Sequence, residues 1–227
     1  EGGACNLGGY ADAQEAHMVT LSPFRIDRYE VTVEAYMACV DGGGCSAPAA
    51  LPKIKGCNKK LASINLAENS QLPMNFVDYA SASTFCSWMN RRLCTEAEWE
   101  YAARSNENWF YPWGNGAANC SLAHHKGCGN EPKAVGLLPD GVSAVGAFDM
   151  AGNVAEWVAD YYAAGYYGVS PQQNPAGPAS GTLRIARGGW ATSSVYDIRS
   201  YRRFPYDPER RCHTIGIRCC ADVPLSP

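Results

Sequence analysis

Eleven cysteines, at positions 5, 39, 45, 57, 86, 94, 120, 128, 212, 219 and 220, and four histidines, at 17, 124, 125 and 213, are the side chains of this 227-residue chain best suited to chemistry. Thiolates are the soft metal ligands and the reactive nucleophiles of proteins, and imidazole is a common companion. Zinc is the first chemistry to consider. No Cys-x-x-Cys pair occurs and the histidines do not fall at finger spacing, which argues against a structural zinc site. Cys212 beside His213 makes a copper-like pair. His124 and His125 stand in a glycine-rich loop between Cys120 and Cys128, where a solvated pair is expected. Oxidation is the remaining chemistry. Stable disulfides belong to oxidising compartments, so the cysteines read as a disulfide set. The chain then reads as secreted, periplasmic or attached to a cell surface, with a processed N-terminus. Cys39 and Cys45 flank Asp41-Gly42-Gly43-Gly44 and are placed for a local bridge. An odd total leaves at least one cysteine free or bonded to a partner chain, so a disulfide-linked or non-covalent assembly stays open.

Bulk composition removes other classes. Net charge is −3 and no basic stripe occurs, so nucleic acid is not an expected partner. The longest apolar runs fall far short of the ~18 residues needed to cross a bilayer. An apolar content of 46% is ordinary for a chain that buries a core.

These residues must be held by something. Residues 2–9 read as a turn-rich entry, and Met18-Val19-Thr20-Leu21 and Phe24-Arg25-Ile26-Asp27 alternate as half-buried strands do. Val33, Tyr36, Met37 and Val40 recur at helical spacing behind Thr32, a plausible N-cap, and Gly42-Gly43-Gly44 ends that helix. Residues 46–75 read as loop. A second helix is predicted near 79–91, with Ala82, Phe85, Cys86 and Met89 on one side. Thr95 and Glu98 have the spacing of a capping box that opens another helical turn through Trp99 and Tyr101. Phe85, Cys86 and Trp99 are expected to pack together. Residues 105–180 show little periodicity, which points to structured functional loops or bound ions. With no repeat and no boundary, one domain spanning 1–227 is expected.

Five blocks along this frame carry a resemblance. They are Phe24-Arg25-Ile26-Asp27-Arg28-Tyr29-Glu30-Val31-Thr32, residues 73–80 (PMNFVDYA), residues 91–104 (RRLCTEAEWEYAAR), Tyr111-Pro112-Trp113-Gly114-Asn115 and residues 148–157 (FDMAGNVAEW). Arg187-Gly188-Gly189-Trp190 and Gly216-Ile217-Arg218-Cys219-Cys220 close the pattern. Together they are similar to the formylglycine-generating enzyme, or sulfatase-modifying factor, family. The resemblance implies an irregular α+β fold of the C-type-lectin type, loop-rich and disulfide-stabilised, with few strands and two main helices.

Function is a separate inference from fold. The family's oxidases hold one Cu(I) between two cysteines five residues apart, soon after the Gly-Gly pair. Here the window reads Trp190-Ala191-Thr192-Ser193-Ser194-Val195-Tyr196-Asp197-Ile198, and the aligned positions are Ser193 and Ile198. Neither side chain can hold Cu(I), so copper-dependent catalysis is not expected and no catalytic residue is assigned. The family's iron-using relatives draw histidines from an added helical domain that has no counterpart here.

Calcium is implied instead. One family site falls on the side chain of Asp149, the carbonyls of Gly152 and Val154, and Glu156, all hard oxygen donors. A second begins at Asn119 and the carbonyl of Cys120 but lacks its aspartate; a Cys120–Cys128 bridge is the alternative for that loop. The resemblance pairs Cys86 with Cys219. Cys94 replaces a family proline and Cys220 is an extra neighbour of Cys219, so these two read as a further bridge. Cys5, Cys57 and Cys212 are left unpaired.

The late segment 197–211 mixes arginines with tyrosines, types suited to recognition. In the family this region borders a cleft or forms a ligand face, which here implies Trp190, Ser193, Arg199, Tyr201, Arg202 and Tyr206. The competing reading makes Arg199, Arg202 and Arg211 structural, paired with Glu96, Glu98 or Asp222. Tyr161, Tyr162, Tyr166 and Tyr167 could form an aromatic rim. The expected function is a non-catalytic, calcium-stabilised binding protein for a protein, peptide or glycan. The alternatives are an oxidoreductase with an altered site and a subunit of an extracellular assembly.

Overall fold

A computed structural model describes residues 4–7 (backbone only), 16–48, 55–66 and 68–224. Strand β1 (Ala4–Leu7) pairs antiparallel with β2 (His17–Thr20). This corrects the expected turn-rich entry: a partner strand overrides weak local preference there. β3 (Phe24–Ile26) leads into helix α1 (Val33–Asp41). The Thr32 side chain accepts the Ala35 N–H, and Val33, Tyr36 and Cys39 turn inward. The chain leaves α1 through Gly42 and through Gly43, whose φ of 73° lies in the left-handed region glycine tolerates.

Residues 55–66 and 68–72 form loop and short 3-10 turns. Helix α2 (Tyr79–Trp88) starts where Asp78 accepts the Ser81 N–H. It stops three residues short of the predicted end, and Asn90 adopts φ 55° just beyond it. β4 (Arg92–Leu93) precedes α3 (Glu96–Arg104), which opens with both legs of the Thr95/Glu98 capping box formed. β5 (Ala155–Tyr161), β6 (Arg184–Arg187), β7 (Arg203–Tyr206), β8 (Ile215–Gly216) and β9 (Cys219–Asp222) follow. Two sheets result besides the β1–β2 pair: β3-β9-β4, and β7-β6-β5-β8 with β5 and β8 parallel. The fold is thus a mixed α/β one, with three helices longer than one turn among the described residues, where two main helices were implied.

Successive residues of a strand face opposite sides, and two strands use this to divide the core. Trp157 of β5 lies with Tyr36, Met74, Phe85, Cys86 and Ile215; its neighbour Val158 lies with Phe24, Trp99, Met150 and Ile185. Cys219 and Cys220 of β9 divide the same way. Phe85 and Cys86 therefore do not share a cluster with Trp99, contrary to expectation.

Five disulfides tie the elements together: Cys39–Cys45, Cys57–Cys212, Cys86–Cys219, Cys94–Cys220 and Cys120–Cys128. Four were expected, and Cys57–Cys212 resolves two of the unpaired three. The Cys5 side chain lies outside the described residues. This density of bridges fits an extracellular or lumenal protein. Among the described residues no helix is long and apolar enough to cross a membrane.

Candidate functional site

β6 is followed by Gly188 and Gly189, with φ of 93° and 72°. A Cβ on Gly189 would lie 2.9 Å from Ile198 Cγ2, so glycine lets the following loop fold back on the strand. In that loop the Ser193 hydroxyl accepts the Trp190 N–H at 3.0 Å, and the Ser193 carbonyl accepts the Lys126 N–H. Ile198 is fully buried beside Tyr111, Ala123 and Ala151. The two positions aligned with the family's thiols thus hold a bonded hydroxyl and a packed branched alkyl group. Both are local structure rather than open coordination positions.

An aromatic row runs from this loop along β7. Trp190 meets Phe204 at 5.2 Å, Phe204 stacks on Tyr206 at 6.5 Å, and Tyr206 meets Trp157 edge-on at 6.3 Å. Arg202 lies over Phe204 and Arg210 over Tyr206. Arg199 sits over Phe110 and Tyr196, 4.7 Å from each ring, and donates to the Tyr201 hydroxyl at 2.8 Å. Trp190, Arg199, Arg202 and Tyr206 are half-buried. Ser193 and Tyr201 are buried, which removes them from the implied ligand face: one is used to close the turn, the other to anchor Arg199. Of the tyrosine rim, Tyr167 is buried against His17 and Arg203.

The arginine pairings also differ from expectation. Glu96 is bound by Arg187 and Arg203, both buried. Arg92 takes Glu98 and Asp222. Arg211 pairs with Asp78, and Arg202 with Asp197. Asp160, whose carboxylate accepts the Glu96 N–H, is pushed up to about 8 by burial and then by the Glu96 charge.

The residues implied for calcium sit on a tight turn, with φ of 58° at Asp149, 88° at Gly152 and 56° at Asn153. Asp149 Oδ2 accepts the Gly136 N–H. Both oxygens of Glu156 accept from Arg218, and one also accepts from Trp99 Nε1. A third carboxylate, Glu30, lies beside them. It accepts from Asn153 Nδ2 at 2.6 Å and from the Val154 N–H. Burial, and then the Asp149 and Glu156 charges, hold Glu30 well above the usual carboxylate range; burial also raises Asp149. Glu30 stands in the block 24–32, and no local sequence pattern sets it apart from the other carboxylates there. Glu30 also lines a cleft of about 480 Å³ with Arg28, Tyr29, Gln71 and Met89.

Asn119 is placed differently. Its side-chain oxygen accepts the Ser121 N–H and hydroxyl at 2.8 and 2.7 Å, and Cys120–Cys128 closes its loop. His125 there is buried rather than solvated, and His124 Nε2 is buried with no hydrogen-bond partner among the described residues. Burial lowers the His124 pKa.

Comparison with known proteins extends these observations. Residues 1–223 match the family model described as a sulfatase-modifying factor enzyme 1-like domain. The chain is 31% identical over 224 residues to a serine/threonine-protein kinase pkn1 of Chlamydia caviae, covering 95% of this chain and 35% of the relative. It is 30% identical over 198 residues to the formylglycine-generating enzyme of Mus musculus, covering 78% of this chain and 52% of the relative. Among solved structures, PvdO from Pseudomonas aeruginosa matches with a TM-score of 0.83 and 27% identity, over 98% of this chain and 92% of that one. The chain thus spans only about a third to a half of those two curated relatives. The motifs, the split core and this match across nearly all of the sequence agree: the chain belongs to the sulfatase-modifying factor enzyme 1-like family.

Proposed function

We propose that this protein is a non-catalytic binding or interaction module on the formylglycine-generating enzyme fold, acting outside the cytosol and stabilised by calcium. The observation that carries this reading is the state of positions 193 and 198. A hydroxyl accepting a backbone N–H and a fully buried isoleucine stand where the family's oxidases carry thiolates. Every other cysteine with a described side chain is in a disulfide. Soft-metal oxygen activation needs thiolate donors, and this strand has none to give. The half-buried Trp190, Arg199, Arg202 and Tyr206 remain as a face of rigid rings and forked donors suited to a protein, peptide or glycan. The disulfides support a reading of secretion, periplasmic export or surface attachment.

The residues present fit a hard cation on charge. Three buried or largely buried carboxylates, Glu30, Asp149 and Glu156, face one buried guanidinium, Arg218. Calcium would be held by Asp149 and the carbonyls of Gly152 and Val154, with Glu30 adding charge; Glu156, whose two oxygens are taken by Arg218 and Trp99, would have to give up a donor to join them. The ion would supply the missing positive charge and fix the turn.

The catalytic half of the reading is tested by offering the bridge-intact protein Cu(I), oxygen and a cysteine-bearing peptide. No aldehyde and no oxygen uptake are expected; aldehyde formation overturns the reading. The binding half is tested on peptide and glycan arrays, where Trp190→Ala with Tyr206→Ala is expected to abolish binding. Retained binding by that folded variant overturns the assignment of the face.

A further inference from the structure

Among the described residues, one group of three thiol, imidazole or carboxylate ligands converges on a point: Cys57, Cys212 and His213, whose donor atoms lie within 4.8 Å of one another. In the oxidised chain the two sulfurs are bonded. We propose that reduction of this bridge opens a binding site for a soft monovalent cation such as Cu(I), held by Cys57 Sγ, Cys212 Sγ and His213 Nδ1. The site adjoins the aromatic face through Arg210, which lies over Tyr206, but the inference does not depend on that face or on the carboxylate cluster above.

The imidazole holds the required atom, engaged by a backbone N–H that must be released, with the movement of Cys57 and Asn58, before a cation can bind. The Asn58 N–H donates to His213 Nδ1 at 3.1 Å, so this nitrogen carries the lone pair and the proton sits on Nε2. Nδ1 also lies 3.5 Å from Cys212 Sγ. Two donors are fixed by the fold: the Cys212 carbonyl accepts the Phe76 and Ile215 N–H groups, and the His213 carbonyl accepts from Asn75 Nδ2. The third, Cys57, is partly exposed and comes from a loop, so it is the arm that moves.

Arg210 decides the charge of the ion. Its Nη2 lies 3.5 Å from Cys57 Sγ and 3.9 Å from Cys212 Sγ. Two thiolates, one monovalent cation and this guanidinium sum to zero; a divalent ion in the same half-buried place leaves an uncompensated positive charge. Thiolate and imidazole donors are soft enough for Cu(I). A cation near both sulfurs also favours thiolates as leaving groups, which makes the bridge reducible. The other bridges differ. Cys39–Cys45, Cys86–Cys219 and Cys94–Cys220 are buried. Cys120–Cys128 is solvent-facing; His125 Nε2 lies 3.4 Å from Cys128 Sγ, but the three donor atoms there do not all come within 4.8 Å of one another.

The chemistry balances with a dithiol as reductant. Its two thiols pass two electrons and two protons to the Cys57–Cys212 bond and close to a cyclic disulfide, leaving two protein thiols. The cation then displaces both thiol protons to solvent.

Alkylation footprinting tests the site. Any thiol already free is first blocked. The folded protein is treated with limiting phosphine, freed of it without oxygen, offered Cu(I) bound to a competing chelator, and alkylated. The expected result is one Cu(I) per chain, with Cys57 and Cys212 protected and Cys120 and Cys128 labelled. Arg210→Gln is expected to weaken Cu(I) about tenfold and to shift preference toward Zn(II). Protein reduced and alkylated at Cys57 and Cys212 before copper is expected to bind none, a control that needs no new fold. The proposal is overturned if the bridge stays closed while Cys120–Cys128 opens, if the bridge-intact or alkylated protein binds equally, or if Arg210→Gln leaves the Cu(I)/Zn(II) preference unchanged.

Discussion

Arg218 grips Glu156 with both prongs: Nε and Nη2 donate to its carboxylate at 2.7–3.0 Å, and neither side chain exposes more than 1% of its surface. The same guanidinium donates to the carbonyls of Asp27 and Phe148. Removing the cation strands a buried carboxylate. Arg218→Leu is therefore expected to destabilise the protein by about 3–5 kcal/mol, as for other broken buried pairs. Arg218→Lys keeps the charge, loses the fork, and should fall between. Urea unfolding of the three proteins measures this; a loss within 1 kcal/mol for Arg218→Leu contradicts it.

Calcium should raise the melting temperature. An ion at 100 times its dissociation constant adds about 2.7 kcal/mol to the folded state. Thermal melts in excess calcium and in chelator are expected to differ, and the difference is expected to vanish in Glu30→Gln with Asp149→Asn. Those substitutions also relieve carboxylates that burial strains, so the variant should match or exceed the wild-type protein in chelator. Identical wild-type curves in calcium and chelator count against the ion.

Cys94–Cys220 closes a loop of 126 residues, but Cys86–Cys219 already brackets the same stretch of chain. With that neighbour intact, the extra loop runs only through the short 86–94 and 219–220 segments, for which the loop-entropy model gives about 2–3 kcal/mol. Cys94→Ala with Cys220→Ala is expected to lose stability of that order. Chemical denaturation under non-reducing conditions gives the number.

Asp160 makes stability depend on pH in the alkaline direction. Unfolded, it ionises at its ordinary 3.8; folded, burial and Glu96 push it up to about 8. Between these values the folded state binds the extra proton, so the contribution is complete below the lower value and is lost as pH rises through the upper one. Asp160→Asn keeps an oxygen for the Glu96 N–H and cannot ionise. It should flatten the decline between pH 4 and 8, read from denaturant midpoints at a series of pH values. Parallel declines in both proteins contradict the assignment.

Local chemistry was the legible part of this sequence. The Thr95/Glu98 capping box and the Thr32 cap are short-range hydrogen bonds written in adjacent residues. Cys94–Cys220 was legible because two departures from one family pattern suggested each other. β5 was not, because Ala155-Glu156-Trp157-Val158 is buried on both faces and shows no alternation. Cys57–Cys212 joins residues 155 apart through a loop without periodicity. Glu30 gains its meaning only from Asp149 and Glu156, brought beside it by the fold.

The adjacent half-cystines of β9 clamp the chain from opposite sides, one to α2 and one to the residue before the α3 cap. A protease that nicks any exposed loop between Cys94 and Cys219 therefore yields two fragments that remain covalently joined. Such a nicked protein would travel as a single species until reductant is added, so damage on the outside of the molecule need not release a piece of it.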